Sequence, residues 1–128
     1  MELDEFKNPD FAQINTYEPG KIIVNRKPFH HSLIIRGNEI TPWTPKSLDQ
    51  INDTAIEALL IPKIDLLLIG TGEANSVILP PSAMKTLIGS GIPYECMGTM
   101  SACHTWTLLA AEGRDVVAAL IINQEVSQ

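Results

Sequence analysis

The sequence predicts an α/β fold: a single three-layer domain with a central mixed sheet, an antiparallel β-rich N-terminal part and then an αβαβαβ unit. Three observations predict it. Of the 128 residues, 45% are hydrophobic and 19% charged, enough for one core that hides about two thirds of the unfolded surface without a disulfide or a metal. Between residues 13 and 40, short β-type apolar runs alternate with turn residues. From residue 47 the hydrophobic period lengthens to three and four residues and then alternates with continuous apolar runs.

Residues 1–10 are polar and acidic and read as a flexible tail; residues 11–128 form the domain. Ile14 to Tyr17, Ile22 to Val24 and Leu33 to Ile35 read as strands. They are separated by Pro19-Gly20 and by Asn25 to Pro28, and the third ends at Gly37-Asn38. No connection is long enough for a crossover helix, so these strands pair antiparallel. After Pro42-Trp43-Thr44-Pro45 comes the first helix, with Leu48, Ile51, Ala55, Ile56, Leu59 and Leu60 on one stripe. Ser47 and Gln50 are spaced as a capping box, and Pro62 lies past its end.

Ile64 to Ile69 and Asp115 to Ile122 are apolar runs of the kind buried on both sheet faces. Between them, Met84, Leu87 and Ile88 mark a short helix opened by Pro80-Pro81 and closed by Gly89 or Gly91. Residues 93–97 form a strand, and Ser101 to Glu112 a helix with Ala102, Trp106 and Leu109 on one face. The strands at 64–69, 93–97 and 115–122 should therefore lie parallel in one sheet.

Fifteen acidic residues against nine basic ones leave a net charge of −6, which argues against general nucleic-acid binding. Three acids precede the first base, unlike a secretory or transit leader. The longest apolar run, Val116 to Ile122, is far shorter than the ~20 residues of a membrane helix. Cys96 and Cys103 fit no disulfide framework or metal knuckle. The expectation is a soluble, cytoplasmic protein with reduced thiols.

Gly70-Thr71-Gly72 follows a buried strand, where a dinucleotide fingerprint would begin, but the third glycine position falls at Asn75 and no ribose-binding acid follows the next strand. A second cluster, residues 97–104, joins a strand end to a helix start whose free amides would hold an anion and lower a first-turn thiol's pKa. That makes Cys103 the one candidate nucleophile, although neighbouring His104 points about 100° away and no base is evident. Both segments end strands in an open α/β sheet. Gly70, Thr71, Gly72, Thr99, Cys103 and His104 are accordingly the candidate ligand-binding residues, for a small molecule or anion in the crevice between residues 70–73 and 98–104. His30, His31 and His104 show no metal-ligand spacing with the cysteines, so neither metal nor cofactor is expected. Lys21, Arg26, Lys27 and Arg36 make the front β region locally basic and, with the proline-flanked Trp43, form a candidate partner-docking patch.

The ordered string Leu66 to Gly72, Gly91 to Met97, Thr99, Ala102-Cys103, Thr105, Leu109 to Arg114 and Ala118 to Leu120 resembles the domain of unknown function 498 family, whose relatives include a mitochondrial complex I assembly factor. The resemblance spans roughly residues 13–122. It implies a three-layer α/β fold with a mixed sheet and a non-catalytic accessory role, acting on a respiratory or other complex through an unidentified protein partner. The family's usual loop, Met-Asp-Thr-Gly-Ala-Ala-Cys-Arg-Thr-Tyr-Asn, is altered here: Gly98, Met100, Ser101, His104, Trp106 and Thr107 take its aspartate, glycine, an alanine, arginine, tyrosine and asparagine positions. The expectation is that Gly98 and His104 compensate, each removing one member of an ion pair.

Overall fold

The computed structural model describes residues 9–73 and 77–123. Most of the expected acidic tail, residues 1–8, and Asn75 lie outside the described residues. The chain begins with a three-stranded antiparallel meander of β1 (Ile14–Glu18), β2 (Lys21–Val24) and β3 (Lys27–Phe29). Asn25 and Arg26 both hold positive φ, 51° and 67°, the geometry of a tight hairpin turn that matches strand twist. That turn takes two residues, so Lys27 and Pro28, expected in the turn, fall in a strand; Pro28 is tolerated because β3 is an edge.

A second, five-stranded sheet holds β4 (Leu33–Arg36), β5 (Glu39–Pro42), β6 (Leu66–Gly70), β7 (Tyr94–Met97) and β8 (Val116–Leu120) in the order β5-β4-β8-β6-β7. The pairs β4–β5 and β4–β8 are antiparallel, and β8–β6 and β6–β7 are parallel, so the sheet is mixed. Period-two alternation explains why its central strands are apolar throughout. In β8 and the residues after it, Val116, Ala118, Leu120 and Ile122 enter one core while Val117, Ala119 and Ile121 enter the other.

The second core is closed by Trp43, α1 (Asp53–Glu57) and α2 (Pro81–Ser90). The first is closed by α3 (Thr99–Ala111) and the inner face of the meander. These are the three layers. Helix α2 starts at the predicted proline and ends on Gly91 at φ 74°. Helix α3 starts two residues before the expected Ser101, because the β7 chain turns straight into it at Gly98.

The first helix is not the continuous one predicted. Leu48–Gln50 is a 3₁₀ turn, the chain extends at Ile51, and α1 restarts at Asp53. Asn52 causes the restart by accepting a hydrogen bond from the Ala55 N–H at 2.9 Å, an alternative to continuing the helix. The Ser47 hydroxyl donates to Asp49 instead of capping, and Gln50 reaches back to the Lys46 N–H at 2.8 Å. Among the described residues no helix is long and apolar enough to cross a membrane.

Candidate functional site

The junction of β6, β7 and α3 sets the site. The ends of β6 and β7 must pass the start of α3 closely: a Cβ on Gly70 would sit 3.0 Å from the Thr99 backbone. Gly72, at φ 92°, approaches Asn123 so closely that a side chain there would collide with its carboxamide oxygen. Thr99 locks this junction. Its buried hydroxyl accepts from the Gly72 N–H at 2.8 Å and donates to the Ile121 carbonyl at 2.7 Å, while its own N–H donates to the Gly72 carbonyl at 3.1 Å. The Thr71 N–H donates to the Met97 carbonyl at 2.8 Å. Gly70, Thr71, Gly72 and Thr99 are thus brought together, but their polar groups meet one another across the crevice between residues 70–73 and 98–104.

Cys103 and His104 face elsewhere. They line a groove of about 440 Å³ with Met100, Thr107 and Leu108 of α3 and with Ile14, Asn15, Thr16 and Tyr17 of β1. On the helix these positions are spaced three and four apart, one stripe along α3. On the strand they are four consecutive residues. The bulge at Asn15 interrupts the alternation of side chains, so Ile14 and Tyr17 both face the core and the wall combines them with the strand between them. β1 is the end strand of its sheet, and the Trp106 indole N–H, donating to the Ala12 carbonyl at 3.0 Å, sets α3 beside it.

Cys103 does not have the first-turn position expected of it. With α3 starting at Thr99 it lies a turn deeper and is 4% exposed, and burial pushes its thiol up to about 12. The lowered pKa expected of a nucleophile is therefore corrected to a raised one. Burial also raises the Cys96 thiol. At the groove's far end the Tyr17 hydroxyl donates to the Glu73 carboxylate; burial, then that bond, push Tyr17 above the usual phenol range.

The compensation expected between Gly98 and His104 concerns two positions with different surroundings. A Cβ on Gly98 would face the Gly72 carbonyl oxygen at 3.6 Å, whereas His104 faces β1 across the groove. Gly98 precedes the helix with non-helical backbone, at ψ 154°, whereas His104 lies in the second turn of α3. The two substitutions act on different neighbours.

The basic candidates separate as well. Trp43 is 5% exposed and its indole N–H donates to the Ala55 carbonyl at 3.1 Å, so it is a core residue and not a surface anchor. Arg36 makes a two-pronged contact with Asp115, at 3.2 Å and 2.9 Å, that ties the end of β4 to the residue before β8 and raises the guanidinium's pKa. Lys21 lies 3.8 Å from Glu18. Arg26, in the β2–β3 turn, and Lys27, the first residue of β3, are exposed. Among the described residues no three His, Cys, Asp or Glu side chains are placed to hold a metal.

The sequence reading missed the groove's β1 wall and Met100, Thr107 and Leu108. A signal existed: Met100, His104 and Leu108 recur every four residues, but Trp106 drew the helix's apolar face toward the core.

Residues 14–121 match the model of a family described as protein of unknown function (DUF498/DUF598). The chain is 27% identical over 124 residues to the 13 kDa major membrane protein of Francisella tularensis subsp. holarctica, covering 94% of this chain and 99% of that one. It is 30% identical over 124 residues to NADH dehydrogenase (ubiquinone) 1 alpha subcomplex assembly factor 3 of Xenopus tropicalis, covering 95% of this chain and 67% of that one. A crystal structure of a Bordetella parapertussis protein superposes with a TM-score of 0.78 at 28% identity, covering 88% of this chain and 97% of that one.

Proposed function

The chain belongs to the DUF498/DUF598 family, and from that premise we propose that it is a non-catalytic accessory protein that acts in the assembly of a protein complex. The observation that carries this reading is the match to a complex I assembly factor along 95% of the chain. It extends through both sheets, so the surfaces available to a partner are built on the same framework. The chemistry of the site supports the same reading. The one candidate nucleophile is a thiol pushed up to about 12 by burial, which leaves it protonated at neutral pH. The polar groups around Gly72 and Thr99 are spent on holding the fold together.

Affinity purification of the tagged chain from its native cell tests the proposal. Recovery of a respiratory-complex subunit or assembly intermediate, in stable and stoichiometric form, is the expected result. Recovery of no protein, combined with thermal stabilisation by a metabolite, would overturn it.

A further inference from the structure

We propose that the groove between β1 and α3 takes an extended, cationic segment of another protein as an added strand on β1, with apolar side chains on Met100 and Leu108 and a Lys or Arg meeting Glu73. The inference rests on the reading of the chain as a protein that works through protein contacts, and it names the surface and the chemistry of the contact.

Three features define the occupant. One wall is a strand edge: β1 ends the order β1-β2-β3, and the groove is lined by Ile14 to Tyr17 in unbroken succession. An end strand turns half of its N–H and C=O groups away from its neighbour, and an extended chain matches that row. The opposite wall carries His104 and Thr107 beside two apolar side chains open to solvent, Met100 at 53% and Leu108 at 67% exposed. A strand entering the groove would cover both with alternate side chains, burying apolar surface that α3 leaves in water.

Charge supplies the third feature. Glu73 stands at the Tyr17 end, held by the Tyr17 hydroxyl, and Glu18 closes β1. Lys21 lies 3.8 Å from Glu18 and offsets it, which leaves Glu73 as the carboxylate for an incoming basic side chain. β1 carries no basic residue, so a second copy pairing β1 to β1 brings none from that strand to Glu73. The strand also carries an irregularity, with Ile14 opposite Val24 but Thr16 opposite Ile23, so Asn15 is an extra residue. A bulge of this kind blunts pairing between identical edges and leaves Thr16 to Glu18 regular for a short strand. A basic segment from a different protein satisfies the edge, the apolar wall and the charge together.

The probe is an alternating valine–lysine heptapeptide with blocked ends, titrated into the isotope-labelled full chain and followed by NMR. Its control carries the same side chains but is N-methylated on alternate backbone nitrogens, which removes donors without changing charge. Expected are shifts of the Thr16 and Tyr17 amides and the Met100 and Leu108 methyl groups, with affinity about tenfold lower for the control. Leu108→Asp and Glu73→Gln should each weaken binding about tenfold; both side chains are exposed, and circular dichroism checks that the variants fold. Absence of these shifts at millimolar peptide, or equal binding of the methylated control, overturns the groove. If Leu108→Asp captures the same complex subunit as the unmodified chain, the accessory role stands and this surface does not. If the peptide binds as described while purification recovers no protein and a metabolite stabilises the chain, the surface stands and the accessory role does not.

Discussion

The Thr99 hydroxyl is fully buried between two backbone groups, the Gly72 N–H and the Ile121 carbonyl, and is hydrogen-bonded to both. Thr99→Val keeps the shape and strands both partners in the interior. Each stranded group costs about 1–3 kcal/mol, so urea unfolding should show a loss of roughly 2–6 kcal/mol, while Thr99→Ser, which keeps the hydroxyl, loses under about 1.5 kcal/mol. If Val and Ser lose the same amount, the hydroxyl does not tie the junction. Cys103 makes a second residue-scale case. Its pKa rises from an ordinary 9 to about 12, so the neutral thiol's contribution to stability is full below pH 9 and is lost as pH climbs from 9 toward 12. The same shift leaves only about one thiolate in 10⁴ at pH 8. Iodoacetamide at that pH should label Cys103 in urea but not in the folded chain, and mass spectrometry of the tryptic peptide reads the difference. Neither residue announces this in the sequence. A threonine and a cysteine near a helix start look the same whether their polar atoms face a ligand or a neighbouring loop, and only the approach of Gly72 decides it.

At the scale of elements, the segment from Ser47 to Glu57 shows where local signals compete. The spacing of Leu48, Ile51, Ala55 and Ile56 is helical, and Ser47 with Gln50 satisfies a capping pattern, so a single helix is the economical reading of the sequence. Asn52-Asp53-Thr54 is the counter-signal. Three consecutive residues that favour caps over helix interiors let Asn52 take the Ala55 N–H and start a new helix. Asn52→Ala should therefore cost about 1 kcal/mol in chemical denaturation, and Ser47→Ala, whose hydroxyl caps nothing, less than about 0.5 kcal/mol. Reversed magnitudes would restore the continuous helix. The parallel strands were far more legible. β6 and β8 carry uninterrupted apolar residues because two cores demand them, and a demand repeated on both faces overrides local ambiguity. The groove was less legible for the converse reason: a strand edge is a property of what does not pair, and no residue type in β1 reports it.

Across the whole molecule, stability should fall outward from β8. This strand sits at the middle of the five-stranded sheet, bonded to β4 on one side and β6 on the other, with all five residues buried. Its amides can open only when both neighbours and both cores part. The meander is tied differently. It reaches the rest through Ile14, Ile22 and Val24 in one core, the Trp106 bond to Ala12, the Tyr17 contact with Glu73 and the Asn25 carboxamide bonded to Asn38 at 3.2 Å. None of its strands pairs with the larger sheet. It can therefore detach, with loss of one core's lid, while β8 stays paired. Native-state hydrogen exchange should place the amides of Val117 to Leu120 at the global unfolding free energy and those of β2 at a lower, shared value, the mark of a subglobal opening. Equal protection of β2 and β8 would make the two sheets one cooperative unit. The distinction bears on function, because β1 is the wall of the groove: a meander that moves as a body against α3 can widen that groove for an incoming strand without disturbing the sheet beneath it.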